Sequence, residues 1–432
     1  MHRSSRSRVG AWALAAWAAL GPGLAAALPP ADDGLTLKRA FDAAWQRQPE
    51  VAAQPSRLQA AAAAARAASS WVADAPALDL AAKTDRLTAN DGSREFGVAL
   101  SLPLWLPGER ARSGALAEAE QAALDAKWHA GRLRLAAAVR EAWWAAQLAR
   151  ADQTLAQARL DSARQLASDT ARRVRAGDLA RADQFQADSA LAQAEGALAE
   201  ASAAAQAASL ALRAMTGTVA GAVADTGAAG AAGTAADIAP PEPQPALAAP
   251  SPGVEAQHPA LAEWAARAAV GERAAALAAT RTRANPELLL GTTHERGDFA
   301  ENYQHTVTVG VRFPFGGGAR ADARIAAARA DALEAQAQLE LERARVRGEI
   351  ASAQLRVGAA RTRLDAADKQ WRLAAELRGF VDKAFKLGEA DLPTRLRAEL
   401  DAVTAERQAA RLRIEAAAAV SALRQALGLL PE

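Results

Sequence analysis

The sequence contains no cysteine, and only one tyrosine and two methionines occur among its 432 residues. The lack of cysteine excludes a disulfide framework, a thiolate metal site and a catalytic thiol, and it also excludes a lipoprotein anchored through an acylated cysteine. Beyond residue 27, no apolar run reaches the about 18 residues that predict a membrane-spanning helix, because charged side chains interrupt even the alanine-rich stretches. We therefore do not expect this chain to cross a membrane as helices.

The first 27 residues have the layout of a secretory signal peptide. Three arginines precede an apolar run at 9–20, and Ala25 and Ala27 form the small-x-small pattern of a cleavage site. The run is shorter than the about 20 residues of a spanning helix, so cleavage after Ala27 is favoured over an anchor. The full chain has a net charge of +2, and removal of a segment with three arginines and no acidic residue leaves −1. Without a basic excess, nucleic acid is not an expected partner.

The rest of the chain is an internal duplication with an offset of 210–211 residues. Five anchors recur in the same order, which chance alone does not explain. The matched pairs are Gln48-Pro49 with His258-Pro259, Pro76 with Pro286, Leu102-Pro103-Leu104 with Phe313-Pro314-Phe315, Gly177 with Gly388, and Gly217 with Gly428. We therefore expect two half-protein repeats, at 28–217 and 258–432, joined by a Gly/Ala/Pro-rich linker at 218–257.

Each repeat contains two segments with the two-residue period of a β-strand. Residues 96–104 alternate large apolar with small residues, and 306–315 repeat this parity. Weaker partner strands are predicted at 77–84 and 287–293. Strands of this length fit the wall of an outer-membrane barrel, although a soluble hairpin packed on helices has the same pattern. Four strands cannot close a barrel in lipid, so a membrane location requires several copies.

Segments without proline predict unusually long helices in both repeats. Residues 111–176 and 320–386 would each extend about 100 Å, and each ends at a glycine. Return helices of about 55 Å are expected at 180–216 and 391–428. The predicted class is therefore mainly α with a small β component.

Two shorter helices, at 35–47 and 56–75, are expected before the first strand pair. Placed end to end with the return helix, helix 56–75 nearly matches the length of the long helix beside it. The linker and helix 35–47 would then fill the gap where the two shorter helices meet. This arrangement predicts a wall of long helices packed side by side.

This duplicated order resembles the TolC-like outer membrane factors over essentially the whole mature chain. The segments that carry the resemblance are the opening helix at 35–41, the strand-to-helix passages at 102–104 and 313–320, and the helix-hairpin tips at 174–178 and 385–392. It implies a homotrimer in which four strands per chain close a twelve-stranded barrel in the cell outer membrane, above a helical tunnel in the periplasm. It also implies docking on a periplasmic adaptor that is fed by an inner-membrane pump of the RND type.

Within that family, the Leu387-Gly388-Glu389 tip and the short C-terminus resemble the heavy-metal (cobalt-zinc-cadmium type) efflux branch most. This implies heavy-metal cations as the cargo, with drugs or a secreted polypeptide as alternatives.

The resemblance also implies roles for residues at the tips and turns. Adaptor docking is expected at Gly177, Asp178, Leu179, Gly388, Glu389 and Leu392. The barrel-to-tunnel turns are expected at Pro103 and Pro314. Many relatives carry paired aspartates after the second tip glycine, whereas Thr394 and Arg397 stand at the matching positions here, shortly after Asp391. These three residues are the aperture candidates, and a ring of carboxylates is not expected.

No motif in the chain predicts an enzyme, a metal site or a bound cofactor. There is no nucleophile elbow, phosphate loop or zinc-binding helix pair. His129, His258, His294 and His305 lack the spacing of metal ligands. A periplasmic coiled-coil adaptor or scaffold is the alternative of a different class, although it would need longer β-rich stretches around one hairpin.

Overall fold

The structure is a computed structural model that describes residues 36–88, 90–217, 241–245, 255, 257–316 and 318–432. The predicted signal peptide at 1–27 and most of the predicted linker lie outside these residues. The described chain is mainly helical with a small sheet, which confirms the expected fold class.

The two repeats contain the same order of elements. The first has α1 (Leu37–Gln46), α2 (Pro49–Ser69), β1 (Ala77–Thr84), β2 (Arg94–Pro103), α3 (Glu109–Ala176) and α4 (Arg181–Thr216). The second has α5 (Pro259–Thr280), β3 (Glu287–Arg296), β4 (Gln304–Arg312), α6 (Gly318–Leu387) and α7 (Leu392–Ala426). Helix α5 therefore corresponds to α2, and α6 and α7 correspond to α3 and α4.

Helix α2 differs most from its predicted bounds of 56–75. It begins at Pro49, because the first turn of a helix has free N–H groups and so accepts a proline. It ends at Ser69, where the Ser70 hydroxyl donates a hydrogen bond to the Val72 carbonyl oxygen. Such a local side-chain bond competes with continuation of the helix.

Strands β3 and β4 also differ from their predicted bounds. Strand β3 continues to Arg296, since both neighbouring strands still pair with Glu295. Strand β4 stops at Arg312, three residues before the predicted end. It is an edge strand, and Pro314 beyond it has no N–H to donate to a ladder.

The helices form a layer in which α3 lies between two pairs of shorter helices. Helix α3 packs against α2 and α4 on one side and against α5 and α7 on the other, and α5 and α7 also pack against α6. The α1 side chains Leu37 and Phe41 join a buried cluster with Trp143 of α3 and Leu212 of α4. This confirms that the opening helix fills the position between α2 and α4.

Alanine dominates the buried positions between the helices and allows them to approach closely. At Gly271 of α5, an added Cβ would lie 3.0 Å from the Cα of Ala332 in α6, so this crossing accepts almost no larger side chain. None of the described helices is both long and apolar enough to cross a membrane. Among the described residues, no further helix packs beyond α6 at one edge of the layer, or beyond α1, α2 and α4 at the other.

Candidate membrane face, junction and helix tips

The four strands form one antiparallel sheet in the order β1-β2-β3-β4, which leaves β1 and β4 as open edges. Its register places Leu80 opposite Val98, and Leu290 opposite both Leu100 and Val309, on one face. The exposed large apolar residues of this face are Leu78, Leu80, Phe96, Val98, Leu290, Val307, Val309 and Val311, each 38–76% exposed. A continuous apolar patch of this size indicates a surface that is covered by lipid or protein.

The opposite face of the sheet is polar. Lys83 Nζ lies 2.8 Å from Glu95 Oε2 on the neighbouring strand. Glu287 accepts hydrogen bonds of 3.1 Å from Ser101 Oγ and from an Arg312 guanidinium nitrogen. The sheet therefore has one apolar and one polar face, as a wall between lipid and water requires.

An aromatic group lies at the end of the sheet away from the helices. The His294 ring stacks on Tyr303, with centroids 4.3 Å apart, and its centroid is 4.2 Å from that of His305. Sequence spacing did not predict this contact, because His294 and His305 pair across two strands. Within the described ranges, no three His, Cys, Asp or Glu side chains form a group that could hold a metal ion.

A buried carboxylate, Glu109, joins the sheet to the helices. It is 1% exposed and accepts hydrogen bonds from Arg281 Nε at 2.6 Å, Asn285 Nδ2 at 2.8 Å and Leu106 N at 3.0 Å. The donors come from both repeats, so Glu109 holds the end of α5 against the start of α3. This latch was missed by sequence reasoning, since Glu109 resembles any other acidic residue in the first turn of a helix.

The two turn prolines occupy different environments. Pro103 ends β2 opposite Glu287, and its carbonyl oxygen accepts a 2.9 Å hydrogen bond from Ala73 N. Pro314 lies beyond the end of β4 and is half-buried. The first turn is therefore held within the chain, whereas the second lies at the open β4 edge.

A second buried carboxylate, Glu242, lies in the predicted linker. It forms a bidentate pair with Arg140 of α3, at 3.0 Å to Nε and 2.8 Å to Nη2. Arg424 of α7 lies 3.3 Å from Glu242, at ion-pair distance without hydrogen-bonding geometry, and donates to the Pro243 carbonyl oxygen at 2.9 Å. We call Arg140, Glu242 and Arg424 the linker clasp, because they join the linker to one helix of each repeat, α3 and α7.

The tips of the two helical hairpins have the same backbone geometry. Gly177 and Gly388 have φ values of +88° and +80°, a left-handed conformation that favours glycine after a helix. In each tip the following residue donates to a carbonyl oxygen five positions earlier, from Asp178 N to Arg173 at 2.9 Å and from Glu389 N to Ala384 at 2.9 Å. Both turns are Schellman motifs. The two repeats therefore share the same hydrogen bonds at their tips, which supports the duplication.

The first repeat is similar to a known protein family. Residues 40–218 match the family model described as outer membrane efflux protein. The first repeat is therefore similar to outer membrane efflux proteins. A comparison with curated proteins finds no match.

Solved structures share the fold of this chain over most of its length, at identities that establish the fold alone. VceC of Vibrio cholerae is 20% identical, with a TM-score of 0.71, and the match covers 92% of this chain and 97% of that one. CusC is 17% identical, with a TM-score of 0.72 and coverages of 91% and 92%. The CmeC outer membrane channel of Campylobacter jejuni is 16% identical, with a TM-score of 0.70 and coverages of 91% and 85%.

Not all of the residues expected to dock an adaptor are exposed. Gly177, Asp178, Gly388 and Glu389 are exposed, and Leu179 is half-buried. Leu392 is only 1% exposed and packs in a cluster with Leu166 and Phe385 that joins the two tips. The expectation that Leu392 contacts an adaptor is therefore wrong, because its side chain points into the tip core at the start of α7.

The aperture candidates surround the first turn of α7. Asp391 caps this helix and accepts a 3.0 Å hydrogen bond from Thr394 N. Hydrogen bonds from the Thr394 side chain and backbone lower the pKa of Asp391 below its ordinary value, and Arg397 adds a smaller effect. Thr394 and Arg397 are exposed. The Thr394 side chain and the Asp391 carboxylate are thus hydrogen-bonded to each other at the start of the helix.

The tip is expected to loosen in acid. A hydrogen bond from Lys386 lowers the pKa of Asp382 below 3.8, and Arg395 and Arg378 act in the same direction. Because the folded pKa lies below the unfolded one for both Asp382 and Asp391, their stabilisation is complete above the unfolded pKa and is lost as the pH falls through the folded pKa.

Amide hydrogen exchange of the tip, corrected for intrinsic rates, should show lower protection near pH 3 than near pH 6. A variant with both Asp382→Asn and Asp391→Asn should lack most of this pH dependence. Equal protection of the unmodified tip at both pH values would show that Asp382 and Asp391 do not stabilise it.

Proposed function

We propose that this protein is the passive outer-membrane duct of a tripartite efflux system and that it works as a homotrimer. Its partners would be a periplasmic adaptor and an inner-membrane pump of the RND type, and its cargo heavy-metal cations. The observation that carries the proposal is a four-stranded sheet with one apolar face and two open edges.

Open strand edges are not stable in lipid, because each unpaired N–H and C=O costs several kcal/mol there. The edges of β1 and β4 therefore need partners if the apolar face contacts lipid. Three copies, each contributing four strands, would close a barrel of twelve strands. The polar face, with Lys83, Glu95 and Arg312, would then line a water-filled lumen.

The long helices would form the tunnel below this barrel. Helices α3 and α6 contain 68 and 70 residues, which correspond to about 100 Å each. The exposed edges of the helix layer would be covered by the next copy. A tunnel of this length would span much of the periplasm and bring the tips close to a pump complex.

The tips are the proposed contact for the adaptor. Gly177, Asp178, Gly388 and Glu389 are exposed at the ends of the two hairpins, and the Schellman turns hold them rigidly. Thr394 and Arg397, with Asp391 beside them, would border the aperture. A constriction of this composition carries mixed charge instead of a carboxylate ring.

Heavy-metal cargo is proposed on the basis of the Leu387-Gly388-Glu389 tip. Deletion of the gene should lower tolerance to zinc, cobalt or cadmium, and a plasmid copy of the unmodified gene should restore it. The protein should be recovered from the outer-membrane fraction of these cells. Unchanged metal tolerance combined with drug sensitivity would reject the cargo, and a soluble periplasmic protein would reject the duct.

A further inference from the structure

The geometry points to a defined seam between copies, in which α6 and β4 of one copy pack on α2, α4 and β1 of the next. Each residue pair across this seam corresponds to a pair that joins the two repeats within one chain. The corresponding residues are found by applying the repeat offset of 210–211 positions. This inference rests on the trimer proposed above and specifies its contacts.

The template for the seam is the contact between repeats inside the protomer. Strand β2 pairs with β3, and α3 packs on α5 and α7. The duplication makes α6 and β4 the counterparts of α3 and β2. It also makes α2, α4 and β1 the counterparts of α5, α7 and β3. Within the described chain, α6 and β4 do not pack against α2, α4 or β1. The contact that joins the two repeats can therefore form a second time only between copies.

Along the helices, the shift predicts apolar pairs. Within the chain, Trp144 Nε1 of α3 donates a 2.9 Å hydrogen bond to Ser421 Oγ of α7. Adding the 211-residue offset to Trp144 gives Leu355 of α6, and subtracting it from Ser421 gives Leu210 of α4. Leu355 should therefore lie opposite Leu210 of the next copy. Leu355 is 76% exposed and Leu210 is 59% exposed in the protomer, and contact between them would bury both.

A second apolar pair lies near the tips. Leu166 of α3 and Leu396 of α7 share the cluster that joins the two hairpins. The same offset converts them to Leu377 of α6 and Phe185 of α4 in the next copy, and both side chains are exposed in the protomer. The seam would therefore continue to the periplasmic end of the helices.

The exposed apolar residues of α6 support a seam along the whole helix. They are Leu333, Leu341, Leu355, Leu373, Leu377, Phe380 and Leu387. At 3.6 residues per turn, all seven lie within an arc of about 80°. A single narrow stripe over a helix of 70 residues is typical of a helix that packs against a partner along its length.

In the sheet, the shift predicts the register between strands of neighbouring copies. Leu100 of β2 lies opposite Leu290 of β3. With offsets of 211 and 210, this pair becomes Val311 of β4 opposite Leu80 of β1 in the next copy. Val311 and Leu80 are exposed members of the apolar face, so this register would continue that face around the barrel.

The junction between sheet and helices differs between the two kinds of seam. Within the chain, Glu109 forms a buried pair with Arg281. At the repeat offset, the positions that correspond to Glu109 and Arg281 are Arg320 and Trp71 of the next copy. Trp71 is largely exposed in the protomer, and a guanidinium over an indole ring is a favourable contact. The seam between copies would therefore lack the buried carboxylate that latches the seam within the chain.

Disulfide trapping tests the seam directly, because the chain has no cysteine. Leu355→Cys combined with Leu210→Cys, and separately Val311→Cys combined with Leu80→Cys, are introduced into the full chain and oxidised in outer membranes. On non-reducing gels of denatured protein, the single-chain band should be replaced by bands of two and three linked chains. Reduction should restore the single-chain band.

The controls distinguish cross-links that require the predicted register from cross-links between any cysteines that happen to lie near each other. Leu355→Cys alone should stay a single chain. So should Val311→Cys combined with Ala81→Cys, because adjacent residues of a strand face opposite sides of the sheet. Linked chains in the matched pairs and not in the controls would support the seam.

The outcomes separate the seam from the duct. A trimer on unheated gels without linked chains in either matched pair would overturn this register and leave the proposed duct standing. A protein that is monomeric before any substitution would overturn both.

Discussion

Replacement of Glu242 by alanine should destabilise the protein by about 3–5 kcal/mol, the usual cost of removing one partner from a buried ion pair. Arg140 would stay buried without a carboxylate partner, and Arg424 would be left with Glu432, which lies 2.9 Å from it. The helix layer should then loosen at the level of the linker. A urea titration of the detergent-solubilised protein, followed by far-UV circular dichroism, measures the change in the unfolding midpoint.

The same linker offers a matched control. Glu255 pairs with Arg347 at 2.6 Å, but this pair lies at the surface, where exposed ion pairs contribute little. Glu255→Gln should leave the unfolding midpoint where it is in the unmodified protein. If Glu242→Ala unfolded at the same urea concentration as Glu255→Gln, the linker clasp would not be a stabilising element.

The second large effect is expected at the junction, for Glu109→Ala. The buried Leu106 N–H would lose its acceptor, and a buried polar group left unsatisfied costs about 1–3 kcal/mol. The Asn285 amide would still donate to the Leu104 carbonyl oxygen at 3.0 Å, so its loss is smaller. Arg281 is half-exposed and can turn to water, so its own contribution is smaller. We expect a lower unfolding midpoint and faster hydrogen exchange at 104–109.

Glu118→Ala is the control for this substitution, because Glu118 is an exposed acidic residue of the same helix. It should behave like the unmodified protein. Glu109→Gln should fall between the two, since the amide oxygen still accepts one of the hydrogen bonds. Equal exchange rates at 104–109 in Glu109→Ala and Glu118→Ala would rule out the latch.

The features that the sequence predicted best are those with a local period. The proline-free segments and the glycines at 177 and 388 predicted the long helices to within a few residues of their ends. The alternation at 96–104 and 306–315 predicted which face of the sheet is apolar. The duplication strengthened each prediction, because every pattern occurs twice.

The features that the sequence did not predict depend on contacts between distant positions. Glu109 meets residues about 175 positions away, and Glu242 meets helices from both repeats. No local pattern distinguishes these carboxylates from the many exposed ones. Leu392 was misjudged for a related reason, since its tip position predicted exposure while the packing of the two hairpins against each other buries it.

The mass of the detergent-extracted particle tests the proposed trimeric duct most directly. Native mass spectrometry of protein purified from outer membranes should detect three chains in one particle, and heating in denaturing detergent should release single chains. A stable particle that contains one chain would contradict the account, because the edges of β1 and β4 would then have no strand to pair with.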